Sequence, residues 1–129
     1  MAENIEIEIV ELGSIARVAG GLVDFALALD KSNGLEWDGS RHVTRPNNFA
    51  TFVVHHKRAN NLTVTLRGKP SEFEHQPELD VRADQNGYSI FKLERSDQLA
   101  AATLYVRRAF ELFNRGRGRT VRSQKTIEV

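Results

Sequence analysis

Phe49-Ala50-Thr51-Phe52-Val53-Val54, Asn61-Leu62-Thr63-Val64-Thr65-Leu66 and Tyr88-Ser89-Ile90-Phe91-Lys92-Leu93 are three β-forming stretches, and after Ser96 they give way to a helical pattern that runs to Phe113. That succession decides the fold. Leu62, Val64 and Leu66 alternate with Thr63, Thr65 and Arg67, the period of two that gives a strand one buried and one wet face. Phe49 to Lys57 and Leu62 to Arg67 read as antiparallel partners joined around Arg58-Ala59-Asn60-Asn61, because asparagine tolerates the left-handed backbone of tight hairpins. Gly68-Lys69-Pro70-Ser71 ends the second strand. Glu72 to Asp84 is polar and irregular, with at most a short strand at Leu79 to Arg82, and Asn86-Gly87 turns the chain into the strand Tyr88 to Leu93. Leu99, Ala102, Thr103, Val106, Ala109, Phe110 and Phe113 then lie along one side of a helix. Ser96 is its expected N-cap, with Asp97 complementing the positive end of its dipole. Gly116 and Gly118 predict an end near Asn114.

Towards the N-terminus, Ile5, Ile7 and Ile9 alternate with Glu6 and Glu8, which predicts a strand over Asn4 to Val10. The recurrence of Ile15, Val18, Ala19, Leu22, Val23, Ala26 and Leu29 at spacings of three and four predicts a helix from Ile15 to Lys31, stopped by Asn33-Gly34. Gly20-Gly21 inside it implies a kink or a close approach to the sheet. From Leu35 to Asn48 no period survives, and the segment reads as a loop holding Trp37, Arg41, His42 and Arg45. The expected architecture is α+β: one antiparallel sheet of four to five strands with two helices on one face, in the order β-α-β-β-(β)-β-α. Residues 1–114 form the single domain, and 115–129 a flexible basic tail.

The 129 residues are 40% hydrophobic and 27% charged, a globular mixture with no apolar run near the roughly 20 residues that a spanning helix needs. No membrane partner is expected. An acidic start without a basic-then-apolar segment predicts a cytoplasmic protein. The absence of cysteine excludes disulfides and thiolate chemistry. A net charge of +1 hides a polarity: Glu3, Glu6, Glu8 and Glu11 crowd the beginning, while arginines crowd the end.

Motifs for catalysis are missing. His55 and His56 are consecutive in a strand and point to opposite faces, His42 and His75 lie apart, and no metal-ligand spacing or cofactor pattern occurs. There is no Gly-x-Ser-x-Gly, and Glu78, Asp80 and Asp84 read as a solvated loop. The sequence therefore favours a binding module over an enzyme. Its basic end carries the functional expectation: Arg107, Arg108, Arg115, Arg117 and Arg119, with Arg41 and Arg45 beside Trp37 as second candidates, offer planar donors for nucleic acid or another polyanion. The bland account of Trp37 is that it plugs the edge of the core. The alternative to nucleic-acid binding is a protein-interaction or accessory domain, including a homodimer, using an exposed sheet face or edge. Phe49 to His56 supports that alternative with apolar residues on both alternating faces.

Across Arg45 to Phe113, the three strands quoted above and the Ser96 to Phe113 helix together resemble a small bacterial α+β domain of unknown function. Such domains occur at the end of longer proteins thought to act in transport or as nucleases. The resemblance implies a sheet packed by helices and a binding or accessory role, with no catalytic residue to carry over.

Overall fold

The computed structural model describes residues 4–125, with side chains described for 4–115. The helices are α1 (Ile5–Val10), α2 (Ala16–Ala28) and α3 (Leu99–Lys125), and the strands are β1 (Gly34–Trp37), β2 (His42–Arg45), β3 (Ala50–His55), β4 (Asn61–Arg67), β5 (Arg82–Ala83) and β6 (Tyr88–Leu93). All six strands pair antiparallel in the order β1-β2-β3-β4-β6-β5. The expected single antiparallel sheet with two major helices on one face is what the chain adopts.

The inner face follows from the alternation. Phe52, Leu62, Val64, Leu66 and Leu93 are fully shielded and join one core with Leu22 and Ala26 of α2 and Ala102, Val106 and Ala109 of α3. Each large side chain so buried contributes about 1.5–3 kcal/mol. Because all the helices pack into this one cluster, the opposite face of the sheet has no helix on it among the described residues. The polar crossing from β4 to β5 is fastened from inside. The Tyr105 hydroxyl accepts from the Gln76 amide at 2.8 Å and donates to the Leu79 carbonyl at 2.9 Å. Burial pushes the Tyr105 phenol up, so it stays a neutral donor.

Several expectations are corrected. Asn4 to Val10 is not a strand. Asn4 accepts from the Glu6 amide at 2.8 Å and starts α1, and Ile5 and Ile9, one helical turn apart, enter the core while Ile7 is left 67% exposed. The stretch read as a loop contains β1 and β2, so the sheet has six strands rather than four to five. Three successive residues of β2, His42, Val43 and Thr44, are all buried, which erases the alternation that would have announced it. Gly20 and Gly21 are continuous helix. A Cβ would meet nothing within 4 Å at Gly20 and only Leu99 Cδ2 at 4.0 Å at Gly21, so neither a kink nor a close approach explains them. Ser96 does not cap α3. A single 3-10 turn, Ser96–Gln98, leads into it with Arg95 as the N-cap residue, and the Gln98 side chain reaches back, its Oε1 accepting from the amides of Glu94 and Arg95 at 2.8 and 3.0 Å. Finally α3 does not stop near Asn114 but continues to Lys125. The mobility expected of the tail concerns side chains and termini outside the described residues.

Candidate functional site

Register brings cations to one end of the sheet. Arg67 closes β4 opposite Tyr88, which opens β6, and Ala50 opposite Leu66 places the start of β3 at the same end. β2 runs antiparallel to β3, so its last residue, Arg45, lies at this end too. The distal half of α3 caps it: Phe110 meets Phe49 edge-on at 5.0 Å, and the Arg67 guanidinium sits over the Phe113 ring, 4.9 Å from its centroid. Arg115, two positions beyond Phe113 on α3, and Lys69 are exposed here. Arg67, Lys69 and Arg115 have no acidic partner among the described residues.

The expected site residues distribute unequally. Arg115 belongs to this basic end. Arg45 does as well, although its Nε is bound to Glu36 Oε1 at 2.7 Å. Arg107 is exposed on the α2 side of α3, its guanidinium 6.0 Å from the Phe25 ring centroid. Arg108 serves the fold, since its Nε donates to the Glu72 carbonyl at 3.0 Å and Glu111 stands 3.8 Å away. Arg41 is at the far end of the sheet in the β1–β2 turn, where Asp38 holds it at 3.2 Å. The amides of Ser40 and Arg41 keep the Asp38 carboxyl down at about 2, so it remains an anion beside Arg41. Arg117 and Arg119 lie on the helical backbone of α3, and their side chains are outside the described residues.

Trp37 packs on His42, ring centroids 4.8 Å apart, and His42 Nε2 lies 2.8 Å from Glu8 Oε1. This pair of contacts ties β1 and β2 to α1, so the partly buried Trp37 packs at the edge of the core. Sequence reasoning missed Arg67 and Lys69. The signal was present as an outward-parity arginine at a strand end followed by Gly-Lys, but strand ends rich in cations are common on any soluble surface.

The face of the sheet away from the helices carries one continuous cross-strand row: Glu36, Val43, Thr51, Thr65, Ile90 and Arg82, one residue from each strand. Val53, Thr63 and Lys92 form the next row. In the first row Val43 and Thr51 are buried, at 1% and 3% exposure, whereas Thr65 and Ile90 are partly exposed. Among the described residues no group of three or more histidine or acidic side chains is placed to hold a metal ion, and no helix is long and apolar enough to cross a membrane.

These features define an antiparallel sheet, backed by helices on one face, with a basic rim at one end. Comparison with protein families, with curated proteins and with solved structures returns no match.

Proposed function

We propose that this domain is a binding module for nucleic acid or a chemically similar polyanion, engaged at the end of the sheet where β4, β6 and α3 meet. The observation that supports the reading is the convergence of Arg67, Lys69 and Arg115, none with an acidic partner among the described residues, beside Arg45. Phosphate contact by such groups releases counterions, so affinity should fall with salt at a logarithmic slope of about −2 to −4 for three or four contacts. Titration with single-stranded and duplex oligonucleotides at two ionic strengths tests it. Replacing Arg67, Lys69 and Arg115 together by glutamine should weaken binding and flatten that slope, whereas Arg41→Gln, at the other end of the sheet, should leave both unchanged. Absence of binding at low salt overturns the reading. Truncation after Arg115 measures separately what the last residues, with Arg117 and Arg119, add to affinity.

A second reading, a homodimer, is favoured by one observation. The row across the helix-free face ends in exposed Glu36 on one edge and exposed Arg82 on the other, with the partly exposed Thr65 and Ile90 among the residues between them. A two-fold axis parallel to the strands would set Glu36 of one copy against Arg82 of the next, twice, as a self-complementary interface requires. Light scattering that shows a dimer, converted to monomer by Arg82→Glu and restored by adding Glu36→Arg, supports this interface. A strict monomer at high concentration rejects it.

A further inference from the structure

We infer that the hollow between the end of β4, the Asn86-Gly87 turn and α3 is a subsite for a single phosphate group. The inference deepens the polyanion reading and rests on it for the identity of the larger ligand. The hollow has a volume of about 320 Å³ and is lined by Arg67, Glu72, Tyr88, Leu112 and Arg115 together with the backbone of Gly68, Asn86 and Gly87. Its two arginines come from different elements, one from a strand end and one from a helix, and face a common space.

The floor is rigid. Gly68 has φ of +120°, its carbonyl accepts from the Ser89 hydroxyl at 2.6 Å, and Leu112 packs so closely that a Cβ here would lie 2.7 Å from Leu112 Cδ1. The turn opposite is left-handed at both Asn86 and Gly87, with φ of 56° and 79°. Arg67 is held in place by an aromatic ring and by no carboxylate. A guanidinium stacked on a ring keeps its in-plane N–H donors available, which suits a tetrahedral oxyanion. One carboxylate, Glu72, also lines the hollow, its Oε1 turned to the Lys69 amide at 2.8 Å, so the two arginines leave a net charge of +1 there. Tyr88 is a further lining residue, and a phenol hydroxyl is a donor suited to a phosphate oxygen.

A terminal monoester and a backbone diester share this chemistry, and the test separates them. Amide shifts of Gly68, Gly87 and Tyr88 are followed in the full chain during titration with inorganic phosphate, with a 5′-phosphorylated oligonucleotide and with its 5′-hydroxyl counterpart. Saturable shifts centred on these amides are expected. Arg67→Met, which keeps the stem against Phe113, and Arg115→Gln, on an exposed helix position, should each weaken the effect by about tenfold, the scale of one charge-assisted hydrogen bond. Preference for the 5′-phosphorylated strand assigns a monoester. Equal response to both strands, with the same dependence on Arg67, assigns a diester. If oligonucleotides bind but these amides stay still, or both variants bind as well as the parent, the subsite is overturned and the general reading stands. If inorganic phosphate binds here while no oligonucleotide does, the subsite stands and the nucleic-acid reading falls.

Discussion

Gly68 shows how one residue ties the candidate site to the core. Its positive φ and the contacts that a Cβ would make, 2.7 Å to Leu112 and 3.2 Å to the Phe73 ring, are separate obstacles to any side chain. Gly68→Ala should therefore destabilise by more than the ~1 kcal/mol of an ordinary left-handed glycine replacement. Adding Leu112→Ala to it should recover only part of the loss, because it relieves the contact and leaves the backbone strain; thermal unfolding of the double cycle measures both terms. Asp38 makes a different kind of local prediction. Its carboxyl is depressed from 3.8 to about 2 by amide donors from Ser40 and Arg41. A depressed carboxylate contributes stability above its unfolded pKa and loses it as pH falls through the folded one. The contribution should accordingly fade between about pH 4 and pH 2, and Asp38→Asn should remove that part of the acid-unfolding profile while leaving the profile above about pH 5 parallel to the parent. Neither feature could be read from the sequence alone: Gly68 looked like a strand terminator, which it is, but its contact with a helix far along the chain is a property of the fold.

At the scale of elements, the errors and successes have a common cause. Ile5 to Ile9 satisfies a period of two over five residues, yet Ile5 and Ile9 also satisfy a helical spacing, and so short a segment cannot separate the two. Docking of Ile5 and Ile9, together with the Glu8–His42 contact, selects helix over the strand preference of isoleucine. The longer patterns were decisive. Thirteen residues of α2 and the Leu99 to Phe113 stripe of α3 repeat often enough for the helical period to show, and Leu62, Val64 and Leu66 alternate with Thr63, Thr65 and Arg67 along β4. In β1 and β2 four residues each were too few, and burial of both faces of β2 concealed its period. Gly20 offers a stability test of the helix reading. Since its backbone is helical and a Cβ would enter open space, Gly20→Ala should stabilise the protein by about 0.5–1 kcal/mol. Denaturant unfolding with an unchanged m-value and a raised midpoint would establish it, and a lowered midpoint would reveal a role for the glycine that the packing does not display.

For the whole molecule, the arrangement of layers explains what the sequence disclosed and what it concealed. One inner face consumes the apolar residues of strands and helices together, so the existence of a helix-backed sheet was legible from periodicity. The basic rim was only half legible: the arginines late in the sequence were visible, but the juxtaposition of Arg115 with Arg67, Lys69 and Arg45 depends on strand order and register, which are long-range facts. The same order predicts a gradient of local stability. β3, β4 and β6 lie inside the sheet and carry the fully buried Phe52, Leu62, Val64, Leu66 and Leu93, whereas β1 is an edge of four residues and β5 an edge of two. Opening an edge exposes little apolar surface; opening the centre requires separation of α3 from the sheet. Amide hydrogen exchange should therefore be slowest in β4 and in the Ala102 to Ala109 turns of α3, intermediate in β2, and fastest in β5 and α1. The Glu8–His42 contact couples the last of these to the sheet, so Glu8→Gln should accelerate exchange in α1 and β1 while leaving β4 at its original rate. Acceleration of β4 by the same factor would mean that the contact governs global unfolding, and the gradient would then have to be abandoned.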